Sequence, residues 1–258
     1  MAHVDLLGHR TWYQPAKGHG KLVVLLHGGL SNSNSMWHSI GPGLRRHFAV
    51  SAFDRRGHGR TSDTSEPFTI EAMADETIAF LNFLGRRAHL VGHSDGANVA
   101  LAVAMRRPDL VRRVVAIGAN YHHSGLMAME PFTPASASFA DFAESYGALA
   151  PEGASHAAAV VEKSRQLVET EPHWTREDLE RISRPVLVMA GDDDVMTMSH
   201  LTSMYESLAE AQLAVVPGAS HGVLRERTKL ATGLICDYLR SSHPPLTRTP
   251  VRRMVTRP

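Results

Sequence analysis

Short apolar runs alternate along this chain with stretches whose apolar residues recur every three or four positions. The runs are Leu22–Leu26, Phe48–Phe53, Ala88–Val91, Val114–Ile117, Val186–Ala190 and Gln212–Val216. Each is too short for a helix, and several are almost unbroken in apolar residues. That is the pattern of parallel strands covered on both faces. Their alternation with helix-period segments predicts βαβ units, hence an α/β fold with a mostly parallel central sheet flanked by helices. His9–Tyr13 is expected to add an antiparallel edge strand.

Thr69–Leu84 reads as a helix, with Ile70, Met73, Thr77, Leu81 and Leu84 on one stripe. Thr69 can cap its start and Gly85 its end. Gly96–Arg106 is a second helix, stopped by Pro108. From about residue 120 the rhythm breaks. Prolines, alanines and the apolar Met127, Met129, Phe132, Phe139, Phe142 and Tyr146 suggest a short helical insertion with an apolar face. The expected organisation is therefore a core of 1–119 and 176–241 with an insertion at 120–175. Residues 242–258 carry arginines and prolines without an acid, and read as a solvated tail.

Composition narrows the classes of function. The chain has 258 residues, enough for one domain with its own core. Lys plus Arg is 27 against 26 Asp plus Glu, so no global basic field points to nucleic acid or an anionic membrane. The sole cysteine, Cys236, excludes an intramolecular disulfide and a cysteine zinc site, and its apolar helix-like context reads as a buried thiol. The segment Met1–Pro15 lacks the long apolar core of a signal peptide. No window approaches the ~18 apolar residues of a membrane span. A soluble, cytoplasmic protein is expected, and a homo-oligomer is left open.

Chemistry concentrates at Gly92-His93-Ser94-Asp95-Gly96, a G-x-S-x-G sequence after a strand and at the start of a helix. A sharp strand-to-helix turn would hold Ser94 above the sheet edge, and the flanking glycines would admit neighbouring backbone. A serine hydroxyl is a weak nucleophile and needs a base oriented by a third group. Downstream, one strand ends in Gly191-Asp192-Asp193-Asp194, and the next in Pro217-Gly218-Ala219-Ser220-His221-Gly222. An acid and a histidine thus lie past the carboxyl ends of strands, where open α/β sheets bind ligands. The aspartate run has no second ligand set at a metal-binding spacing, so no metal is expected.

These residues together resemble an α/β-hydrolase-fold serine hydrolase of the small, capped, esterase-like kind. The likeness covers roughly residues 20–240. Its blocks are His27-Gly28-Gly29, Asp54-Arg55-Arg56-Gly57-His58-Gly59, the turn at Ser94, Gly191-x-x-Asp194 and His221-Gly222. The resemblance implies a catalytic triad of Ser94, Asp194 and His221, with Asp194 chosen over Asp192 and Asp193. It implies an oxyanion hole from the backbone N–H of Gly29 (Leu30 is the alternative) and of Asp95. It also implies structural roles for His27 and the arginine loop, no cofactor, and a cap built from 120–175. Leu30, Asp95, Phe139 and Phe142 are the candidate substrate-binding residues. Of the other histidines, His93 is expected beneath the Ser94 turn and His122–His123 at the surface.

The implied activity is hydrolysis of an ester, thioester or activated amide of a small, rather apolar molecule. Carbon–carbon bond hydrolases, lactonases and cofactor-free haloperoxidases or perhydrolases share the same residues. Haloalkane dehalogenases and epoxide hydrolases place aspartate where this chain has Ser94. A non-hydrolytic ligand-binding protein of the same fold is the reading from another class. Asp95 is an odd neighbour for a developing oxyanion unless it points away or pairs with Arg55 or Arg56. A Ser-Asp-Gly turn is similar to that of valacyclovir-hydrolase-like relatives, in which the carboxylate would meet a substrate ammonium.

Overall fold

The computed structural model describes residues 2–128, 130–241 and 247–249. The expectation of a solvated tail at 242–258 falls almost wholly outside them, as does Met129.

Eight strands form a single sheet: β1 Ala2–Leu6, β2 His9–Lys17, β3 Leu22–Leu26, β4 Ala49–Phe53, β5 Ala88–His93, β6 Val111–Ile117, β7 Val186–Asp193 and β8 Ala211–Ser220. Their order is β1-β2-β4-β3-β5-β6-β7-β8. From β4 to β8 every pairing is parallel, and β1 and β2 join antiparallel. The six apolar runs all became strands, with ends shifted by a few residues. The antiparallel strand foreseen at His9–Tyr13 runs on to Lys17 but is not at the edge. β1 lies outside it, joined by the tight turn Leu7–Gly8, where both residues have positive φ. The alternation Ala2-His3-Val4-Asp5-Leu6 is the period-2 signal of that strand, with His3 and Asp5 exposed.

Alternation also explains how the sheet is covered. Leu22, Val24 and Leu26 of β3 pack into one apolar cluster with the helices Ile70–Leu84 and Asp95–Arg106. Val23 and Leu25 face the other way, toward Met36, Trp37, Ile235 and Tyr238. All five β3 residues are buried, and each such side chain stabilises the fold by roughly 1.5–3 kcal/mol.

The helix Ile70–Leu84 starts where Thr69 Oγ1 accepts the Ala72 N–H at 3.1 Å and ends at Gly85, whose φ is 62°. Phe80, off the expected stripe, is buried beside it against Phe53. Between β6 and β7 the chain makes the helices Phe139–Gly147 and Ala157–Thr170. Cys236 is buried, as expected. Among the described residues no helix is long and apolar enough to cross a membrane.

Candidate active site

β5 runs straight into the helix Asp95–Arg106, and Ser94 between them takes φ 54° and ψ −127°. A residue with a side chain pays roughly 1–3 kcal/mol for such a backbone, so the surroundings must hold it. They do. The Ser94 N–H donates to the Ile117 carbonyl at 2.8 Å, tying the turn to β6. A Cβ on Gly96 would overlap the Leu26 and His27 carbonyl oxygens, and one on Gly92 would overlap the Gly96 carbonyl. Glycine is therefore required at both positions by close backbone approach.

Asp194 and His221 meet across the ends of β7 and β8, with Asp194 Oδ1 2.7 Å from His221 Nδ1. The Val195 N–H donates to Asp194 Oδ1 at 2.8 Å and the Gly191 N–H to Oδ2 at 3.2 Å. Burial alone would raise the Asp194 carboxyl. The His221 contact and these two N–H groups outweigh it and hold the group below the ordinary carboxylate range. Asp192 turns away and accepts the Ala219 N–H at 3.1 Å. Asp193 is exposed. Ser94 and His221 line one cavity of about 470 Å³.

The His-Gly-Gly turn is fixed from below. His27 Nδ1 lies 2.8 Å from the Gly28 carbonyl, and His27 Nε2 accepts the Arg55 N–H at 3.2 Å. The fully buried Arg55 guanidinium donates to the His27 carbonyl at 2.6 Å and to that of Gly28 at 3.3 Å. Asp54 accepts the Ser33 N–H at 2.8 Å and the Arg60 N–H at 3.0 Å. The arginine loop is thus a brace under Gly28–Gly29. Leu30, next in line, has φ 49° and lines the cavity.

The Asp95 side chain is buried against Gly29, where a Cβ would collide with its Oδ2. Among the described residues it pairs with neither candidate arginine: Arg55 binds carbonyls, and Arg56 lies 3.8 Å from Glu76. Burial raises the Asp95 carboxyl, against the longer-range pull of Arg55 and His221. Asp95 is also among the residues that line the cavity.

Other expectations need correction. Phe139 does not line the cavity around Ser94, and Phe142 lines a neighbouring one. Both pack on Phe132, which does line it. The path of the insertion decides which aromatic faces inward, and composition carries no such information. His123, expected at the surface, is half-buried and lines the cavity too. Sequence reasoning also missed Asn98 and Asn120, a buried pair in which Asn98 Nδ2 donates to Asn120 Oδ1 at 2.9 Å. Both border the cavity. Asn98 stands one helical turn after Ser94, and that spacing was the available signal.

Residues 23–231 match the family model described as "Alpha/beta hydrolase family". A Caulobacter sp. (strain K31) protein that carries the provisional name carbamate hydrolase RutD is 31% identical, over 92% of this chain and 96% of its own length. Among solved structures, the enol-lactonase from Burkholderia xenovorans LB400 superposes with a TM-score of 0.75 at 21% identity, covering 93% of this chain and all of its own. A meta-cleavage product hydrolase from Pseudomonas fluorescens IP01 gives 0.73 at 23% identity, covering 93% and 97%.

Proposed function

The chain belongs to the alpha/beta hydrolase family, and from that premise we propose that it cleaves a carboxylic ester, or a related thioester or activated amide, through an acyl-enzyme on Ser94. The observation that carries this reading is the 2.7 Å contact of His221 with Asp194, beside a strained Ser94 in the same cavity. His221 takes the Ser94 proton as the hydroxyl attacks the carbonyl carbon, and later gives it to the leaving group. Asp194 fixes the imidazole so that Nδ1 carries the proton and Nε2 is free to act as base. The N–H groups of Gly29 and Asp95 hold the oxyanion, and water then cleaves the acyl-enzyme.

The carbamate hydrolase name of the Caulobacter relative fits the same chemistry, since a carbamate also presents a carbonyl with a heteroatom leaving group. The segment 120–175 acts as a cap that supplies the apolar wall through Phe132, Leu126 and Val161. The buried Asp95 carboxyl, which among the described residues pairs with neither Arg55 nor Arg56, favours a substrate with an N–H or ammonium group near the scissile carbonyl.

The test is a panel of p-nitrophenyl esters of graded acyl size, one N-alkyl carbamate, and a matched alanyl and propionyl pair, run on wild type and Ser94→Ala. Turnover of the small esters that Ser94→Ala lowers by ~10³-fold or more supports the acyl-enzyme reading. Turnover that survives the substitution contradicts it. An alanyl preference lost in Asp95→Asn assigns the carboxyl to the substrate. No such preference leaves Asp95 with its backbone role.

A further inference from the structure

Ser94 lines two separate spaces, and their linings differ in charge. Asp95, Glu130, Glu169 and Glu171 line the cavity already described. Among the described residues its one arginine, Arg165, is engaged by Glu162 and Glu169. A separate cleft of about 230 Å³ runs past Ser94, His221, Gly28 and Gly29 to Ser31, Ser35 and Arg225. Those last three residues also border a further cavity of about 540 Å³, so the two spaces adjoin. Among the described residues, no aspartate or glutamate lines either space, and Arg225 is the only arginine or lysine that does.

Arg225 is placed by the same turn that places His221. Its backbone N–H donates to the Gly222 carbonyl at 2.8 Å, one short helical turn beyond the histidine. Its guanidinium, in contrast, is uncommitted: among the described residues it has no ion-pair partner and no side-chain hydrogen bond. The neighbouring carboxylate, Glu226, is taken by the N–H and hydroxyl of Ser220, both at 2.7 Å. Arg227 turns to the Pro217 carbonyl at 3.3 Å. Most of the described arginines meet a carboxylate or a carbonyl. Arg225 is exposed and lines an acid-free cleft that Ser94 also lines.

A guanidinium offers a planar fork of N–H donors that matches a carboxylate, and an anion placed there meets no carboxylate of the wall. Resting on the proposed acyl chemistry at Ser94, we infer that Arg225, beside Ser31, forms a subsite for a carboxylate that the substrate carries away from its scissile carbonyl. The substrate class is then an acid bearing a second, hydrolysable acyl group. The acid-lined cavity would repel that carboxylate, so the two linings together set the direction in which the substrate lies.

The test compares p-nitrophenyl hydrogen glutarate with its neutral methyl ester, at low ionic strength, on wild type, Arg225→Gln and Arg225→Lys. The expected result is a wild-type preference in kcat/KM for the monoanion that falls about tenfold in Arg225→Gln and is partly restored in Arg225→Lys. A ratio of anionic to neutral turnover that Arg225→Gln leaves unchanged overturns the subsite. If neither ester turns over and a fluorophosphonate leaves Ser94 unlabelled, the hydrolase chemistry has failed instead. Calorimetry with glutarate then decides the subsite alone: weaker binding to Arg225→Gln supports it, and equal binding overturns it.

Discussion

His93 Nε2 lies 2.8 Å from the carbonyl oxygen of His221, and the two rings are 4.8 Å apart. Burial, together with the nearby His221, holds His93 down to about 4, so at neutral pH its ring is uncharged and Nε2–H is the donor to that carbonyl. The residue before Ser94 therefore fixes the backbone of His221, on the opposite side of the site. His93→Ala should lower kcat by about tenfold with little change in KM, because it loosens the base rather than the binding wall. Unchanged kcat, measured on a folded variant, would show that His221 holds its place without this bond.

Asp194→Asn should lower kcat by ~10³-fold or more, since an amide can hold the imidazole in the wrong tautomer. Asp192→Asn should leave kcat within a few-fold, because Asp192 serves the Ala219 N–H and not His221. Steady-state kinetics on the two variants checks this, and the reversed order would reassign the acid.

Phe132 faces the cavity and Phe139 packs behind it. Phe132→Ala should raise KM for the longer acyl esters several-fold while kcat for acetate is nearly kept, since an apolar wall contributes uniform binding. Phe139→Ala should show a smaller effect of the same kind. If Phe139→Ala shifts acyl-length preference more than Phe132→Ala, the cavity wall is assigned wrongly.

Acid should unfold this protein earlier than its carboxylates alone would. Burial holds His58 and His89 down to about 3 and His93 and His200 down to about 4, and His27 well below its usual range. Each of these folded values lies below the 6.5 of an unperturbed histidine. The unfolded chain thus binds protons first, and stability that is complete above that pH is lost as pH falls toward the folded values. A histidine held near 3 or 4 costs roughly 3 kcal/mol by pH 4, against a total domain stability of about 5–15 kcal/mol. Thermal melts should show Tm dropping steeply between pH 6.5 and 4. A flat Tm across that range would contradict it.

The parts of this architecture that were legible in the sequence are those set by local pattern. Buried parallel strands such as β3 and β4 read as unbroken apolar runs, and the glycines around Ser94 announce a tight strand-to-helix turn. The edge strand β1 was missed because five residues with only alternate apolar positions give a faint signal. Which aromatic of 120–175 faces Ser94 was not legible either, because it depends on how that segment crosses the strand ends. The pairing of Asn98 with Asn120, and the contact of His93 with the His221 carbonyl, join residues far apart in sequence through the sheet. The Asp194–His221 contact is equally distant, yet both residues sit at strand ends, where position along the fold foretells proximity.

The central claim is that Ser94 is a nucleophile activated by His221 and Asp194, and covalent capture tests it most directly. A fluorophosphonate should label wild type once, with the mass shift mapped to the peptide bearing Ser94. Ser94→Ala should take no label, and His221→Ala should label at least ~10²-fold more slowly. Stoichiometric labelling at another residue, or labelling of Ser94 that is equally fast in His221→Ala, would contradict the account.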